Sequence, residues 1–111
     1  PLAEAPAPRC AAPPAPEAAA RDQRQAAKQS RARLAEATRP LRVEIQRIDE
    51  RLARLGVEKN EVETALASGD GGGDVIADLG RRHHHILAET AMLEERWLEL
   101  HTELDALQAA A

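Results

Sequence analysis

A chain of 111 residues with Trp97 as its only aromatic, and with no Phe or Tyr, lacks the large flat side chains on which thick globular cores depend. Its 43% apolar content is mainly alanine and leucine, set among 31% charged residues, which is the composition of long helices and coiled coils. The formal net charge of −4 conceals an asymmetry: residues 21–42 hold seven basic side chains against Asp22 and Glu36, a net +5, and leave −9 for the remainder.

Residues 1–20, "PLAEAPAPRCAAPPAPEAAA", carry six of the seven prolines. Proline fixes φ and removes a backbone donor, and nothing in this stretch repeats with a helical or strand period, so a disordered interdomain linker is expected. The start has neither an initiator Met nor a signal-peptide core, and the chain reads as a piece of a longer protein. Cys10 is alone, so no disulfide forms within the chain; a reducing compartment is compatible with this. All apolar runs are short, and no transmembrane segment is expected.

The next segment is basic. Arg21, Arg24, Lys28 and Arg31 are spaced three, four and three, which places all four on one face of a helix. From Leu34 a heptad pattern takes over. Leu34, Leu41, Ile48, Leu55 and Val62 recur every seven residues, interleaved with Thr38, Ile45, Leu52, Lys59 and Leu66, which is an a/d seam. Pro40 falls inside it. An interior proline costs a helix about 3 kcal/mol, so the pattern predicts a basic helix over about 21–39 and a new helix over about 40–68 with Pro40 in its first turn.

"ASGDGGGD" interrupts the seam, with four glycines within residues 69–73. Gly69 is expected to terminate one helix and Asp74 to cap the next. The second seam, over about 74–109, consists of Leu79, Ile86, Leu93, Leu100 and Leu107 interleaved with Ile76, His83, Thr90, Trp97 and Leu104. Two heptad helices joined by a short loop run antiparallel, with Leu41 near Leu104 and Ile48 near Trp97. The expected fold is therefore all-α: a two-helix antiparallel coiled-coil hairpin, monomeric, preceded by a basic helix and a disordered Pro/Ala-rich linker, with residues 21–111 forming one C-terminal coiled-coil domain. Gly56 and Gly80 lie inside the helices, and the pattern gives no reason for them beyond a local bend.

Chemistry-bearing motifs are sparse. "GDGGGD" lacks the Lys and Ser/Thr of a P-loop, no nucleophile elbow is present, and no catalytic residue is expected. Consecutive helical residues point about 100° apart, so His83, His84 and His85 do not share one metal ion. Only His85 and Glu89 have ligand spacing, which is too few, and neither a metal nor another cofactor is expected. His83 falls on an a position, facing the partner helix, whereas His84 and His85 point outward. Candidate phosphate contacts are Arg21, Arg24, Lys28, Arg31, Arg33, Arg39 and Arg42, with Arg47, Arg51 and Arg54 as a second basic set on the first long helix. The alternative is a structural or protein-interaction coiled coil whose arginines form a solvated face of i,i+4 pairs, such as Arg54 with Asp49 or Glu50, and Arg47 with Glu44 or Glu50.

The stretch "KQSRARLAEATRPLRVEIQRIDERLARLGVEKNEVETAL" and, beyond a short loop, "DVIADLGRRHHHILAETAMLEERWLELHTELDAL" resembles the C-terminal domain of ABC-F proteins, soluble duplicated ATP-binding cassette ATPases. The resemblance covers roughly residues 21–108. It rests on the basic lead-in, the "RPLRVEI" start, the heptad helix ending in "VETALA" and the second helix closing on "ERWLEL". It implies a cytoplasmic, helical tail that binds DNA or ribosomal RNA, with ATP and magnesium handled by cassettes elsewhere in the parent protein. Family members often carry an aromatic residue in or after the loop before the second helix; here that segment reads "GDGGGDVIADL".

Overall fold

The computed structural model describes residues 15–111. Of the linker expected over residues 1–20, residues 1–14 lie outside the described residues, and its last part, from Pro16, is helical rather than disordered. Two helices account for the rest, α1 (Pro16–Ser68) and α2 (Gly72–Ala110). By packing, the chain divides into a unit ending at Arg33 and a unit Leu34–Ala111.

In the first unit α1 opens on Pro16, whose missing N–H is no loss at a helix start, followed by Glu17 in the first turn, where a carboxylate complements the helix dipole. The Ala19 N–H donates to the Ala15 carbonyl at 3.0 Å. The Pro/Ala composition that suggested a linker through residue 20 thus yields to helix at Pro16, since only prolines before that position break the alanine run "EAAA".

In the second unit the two helices form the antiparallel hairpin. Ile45, Ile48 and Leu100 make one buried cluster, with Leu41, Leu52, Leu93, Trp97 and Leu104 packed on it. Leu55, Val62 and Ile86 make a second, with Leu66, Leu79 and Leu93 around it, so Leu93 joins the two. Every expected seam residue of α1 is buried or half-buried, and in α2 only Leu107, at 36% exposed, falls outside.

The expected helix break before Pro40 does not occur: α1 runs through it. The reason is geometric. Pro40 sits on the solvent side, so the Glu36 carbonyl, which loses its i+4 donor, faces water. On the opposite side Leu34, Thr38, Leu41 and Ile45 continue the seam without interruption. Thr38 is 0% exposed, and its hydroxyl donates to the Leu34 carbonyl at 2.9 Å, so burying it leaves no unpaired polar group.

At the tip, Gly69 has φ of 67° and donates its N–H to the Leu66 carbonyl at 3.2 Å, the expected left-handed stop. Asp74 is not the cap. Gly71 takes that position at φ of 98° with no side-chain cap bond, and Asp74 lies within the first turn of α2. A Cβ at Gly71 would lie 2.9 Å from Val75 Cγ1, so both conformation and space demand glycine there.

Ion pairs along one flank of the seam fix its register. Glu44, Arg51 and Glu58, each just before an a residue of α1, follow one another at seven-residue intervals; Arg82, Glu89 and Arg96 do the same in α2. Arg51 Nε donates to Glu89 Oε2 at 2.5 Å and its Nη2 to Oε1 at 2.9 Å. Arg96 Nε donates to Glu44 Oε1 at 2.9 Å and Nη2 to Oε2 at 3.2 Å. Glu58 and Arg82 line the same cleft as Arg51 and Glu89. Sliding α2 by one heptad in either direction sets Glu44 against another glutamate and Arg51 against another arginine, so the neighbouring registers meet like charges.

Candidate nucleic-acid interface

The ten basic residues singled out from the sequence separate into two environments. Arg21, Arg24, Lys28, Arg31 and Arg33 lie on the stretch of α1 before the hairpin, where every residue from Arg21 to Arg33 is exposed. Among the described residues none of these five has a carboxylate within 4.0 Å. Three- and four-residue steps on a continuous helix put the guanidinium and ammonium groups of Arg21, Arg24, Lys28 and Arg31 on one stripe. An array of unpaired cations at one-turn intervals is what a phosphate backbone engages, because each contact releases a condensed counterion.

Within the hairpin unit, Arg39, Arg42, Arg47 and Arg54 are exposed and, among the described residues, likewise have no carboxylate at ion-pair distance. Arg51 differs. It is half-buried and bidentate with Glu89 through Nε and Nη2, and its Nη1 lies 3.8 Å from Glu58 Oε1. The hydrogen bond from Arg51 holds the Glu89 carboxyl below its ordinary value, and Arg96 does the same for Glu44. The pairings weighed from sequence, Arg54 with Asp49 or Glu50 and Arg47 with Glu44 or Glu50, do not form. Glu44 turns to Arg96 across the seam, Asp49 accepts from the indole of Trp97, and Glu50 accepts from Gln46 at 3.4 Å.

The histidine triplet resolves as its helical angles require. His83 is half-buried in the seam, with Nε2 3.1 Å from Glu63 Oε1. Lys59 Nζ lies 3.8 Å from the same carboxylate oxygen, so Lys59 and His83, both at a positions, share Glu63. His84 and His85 are exposed, their rings edge to face at 6.2 Å. Among the described residues no group of three His, Cys, Asp or Glu side chains is arranged to hold a metal ion. Arg81 pairs with Asp78 on its own helix.

One cluster was not legible beforehand. Trp97 donates its Nε1–H to Asp49 Oδ1 at 2.9 Å and packs against the His101 ring at 4.0 Å. The i,i+4 spacing of Trp97 and His101 was the available signal, but the pairing with Asp49 depends on inter-helix register. Among the described residues no helix is long and apolar enough to cross a membrane. Comparison with family models, curated proteins and solved structures yields no match for this chain.

Proposed function

We propose that the chain is a nucleic-acid-binding helical tail, of the kind its resemblance to ABC-F proteins implies, working in the cytoplasm and holding DNA or ribosomal RNA through phosphate contacts. The observation that carries this reading is the contrast between two sets of arginines. Arg51 and Arg96 are spent on seam carboxylates, whereas Arg21, Arg24, Lys28 and Arg31 stand exposed on one helical stripe with no carboxylate within 4.0 Å among the described residues. A tail that served only as a structural coiled coil has no use for an unpaired basic stripe outside its seam. The parent's ATP and magnesium chemistry, on this reading, belongs to cassettes; this chain contributes binding and no catalytic group.

Fluorescence polarisation with labelled duplex DNA and structured RNA, at 50 and 200 mM salt, tests the proposal. Four phosphate contacts give a slope of about −3.6 in log K against log salt, hence a loss of about a hundredfold between those concentrations. Replacing Arg21, Arg24, Lys28 and Arg31 by Glu together should weaken binding and flatten that slope more than any other set of reversals while leaving the hairpin folded. Binding that ignores salt, or that survives the quadruple reversal, refutes the phosphate reading and leaves the protein-interaction alternative.

A further inference from the structure

We infer that Asp70, at the tip of the hairpin, is a site of spontaneous backbone modification: it cyclises with the amide nitrogen of Gly71 and converts in part to isoaspartate. The reaction needs no partner, so it stands apart from the nucleic-acid reading above.

Cyclisation joins the nitrogen of the following residue to the aspartate side-chain carbon. It requires an N–H that is not held elsewhere, a neighbour without bulk, and backbone outside regular structure. Asp22, Asp49, Asp74, Asp78 and Asp105 fail on the last count, since all lie within α1 or α2. Inside a helix the next N–H is bonded to the carbonyl four residues back, and the helical backbone keeps it from folding onto the carboxyl. Asp74, the nearest of the five, is followed by Val75, whose branched Cβ crowds the ring as well.

Asp70 meets all three requirements. It falls in the connection between Ser68 and Gly72, outside both helices. The residue after it, Gly71, has no Cβ, and the Gly71 N–H has no hydrogen-bond acceptor among the described residues. Glycines with φ of 67° and 98° flank Asp70, and every residue from Ala67 to Val75 is exposed, so water reaches the site.

The chemistry closes with water alone. The Gly71 nitrogen attacks Cγ of the protonated Asp70 carboxyl. The N–Cγ bond forms, the Cγ–OH bond breaks, and the amide proton leaves with the hydroxyl as water, giving a five-membered succinimide. Water then adds to one of the two ring carbonyls and breaks its bond to nitrogen. Opening at Cγ restores Asp70. Opening at the α-carbonyl routes the main chain through Cβ and Cγ and leaves an α-carboxylate, which is isoaspartate. The water lost is regained, so mass is unchanged, while the main chain gains one carbon beside the Gly71 cap. The seam below the tip, from Val62, Leu66 and Leu79 onward, should keep its contacts.

The test incubates the full chain for several weeks at neutral pH and physiological temperature in H₂¹⁸O. Trypsin in ordinary water then releases the segment Asn60–Arg81, which holds Asp70, Asp74 and Asp78 together. Electron-transfer fragmentation breaks aspartyl and isoaspartyl main chains at different bonds, and each ring opening leaves one heavy oxygen on the residue that cyclised. Label and isoaspartate signature should accumulate at Asp70 and stay absent from Asp74 and Asp78. Asp70→Glu, at an exposed position, should lose both, because the corresponding six-membered ring closes far more slowly. A peptide of residues 68–74 sets the unhindered rate, which the folded chain should approach.

A peptide that takes up label while Asp70 of the folded chain does not would show the tip holding the Gly71 nitrogen away from Cγ, and the inference fails. Label at Asp74 or Asp78 as fast as at Asp70 overturns the protection assigned to the helices. Label that survives Asp70→Glu at the tip overturns the succinimide route.

Discussion

Gly56→Ala and Gly80→Ala should each stabilise the hairpin, and together they should do so additively. Glycine in a helix interior is about 1 kcal/mol less favourable than alanine, chiefly because the unfolded chain has more backbone freedom to lose. Such a glycine survives in a fold when a neighbour presses too close for a Cβ or when φ is positive. Neither condition holds here. Both residues have ordinary helical φ, and a Cβ built on either meets nothing within 4 Å. The full propensity difference is therefore recoverable at each site. The register that sets His83 beside Glu63 places Gly80 nearly three turns along the hairpin from Gly56, roughly 15 Å away. At that separation effects add, giving about 2 kcal/mol for the pair. For a domain of this size that corresponds to a rise of about 8–16 °C in Tm, readable by far-UV circular dichroism and by urea titration. Gly71→Ala serves as the opposite control. Its φ of 98° and the 2.9 Å approach to Val75 make the same substitution destabilising. If Gly56→Ala or Gly80→Ala melts below the parent, the helices approach more closely at that level than the structure has them, and the reasoning fails.

Pro40→Ala should also stabilise, by up to about 3 kcal/mol, because α1 is continuous there and the substitution restores the donor for the Glu36 carbonyl; an unchanged urea midpoint would mean that the helix is already interrupted in solution. Acidification should weaken the hairpin. The Glu44 and Glu89 carboxyls are held below their ordinary value of 4.5 by Arg96 and Arg51, so the stabilisation they provide is complete above that value and is lost as pH falls through the lowered folded-state value. Replacing Arg51 and Arg96 by Gln should flatten the acid limb of stability against pH, and a limb of unchanged steepness would remove these pairs as its cause. Amide exchange should be faster around His83 than around Trp97, because the Lys59–His83 level of the seam is polar whereas Trp97 packs on the Ile45, Ile48 and Leu100 cluster; the reverse order would show that Glu63 ties the distal end more firmly than apolar packing ties the other.

The heptads of Leu34–Leu66 and Ile76–Leu107 determined the fold class unaided, because a seven-residue apolar period leaves each helix with a stripe that only a second stripe can cover. The glycine-rich break between them determined that the partner stripe comes from the same chain, and the same helical angles separated His83 from His84 and His85. The continuity of α1 through Pro40 was decided by tertiary structure: local propensity argues for a break, and only the seam on the far side of the helix, with Thr38 bonded back to Leu34, outweighs it. The cap at Gly71 rather than Asp74 was decided by left-handed backbone, which any of several consecutive glycines could have supplied. Charge partners were the least legible. A list of arginines in sequence does not say which are paired, since Arg51 finds Glu89 across 38 residues while Arg42 has no carboxylate within 4.0 Å among the described residues. Pairing at that range depends on inter-helix register, and so does the bond from the Trp97 indole to Asp49.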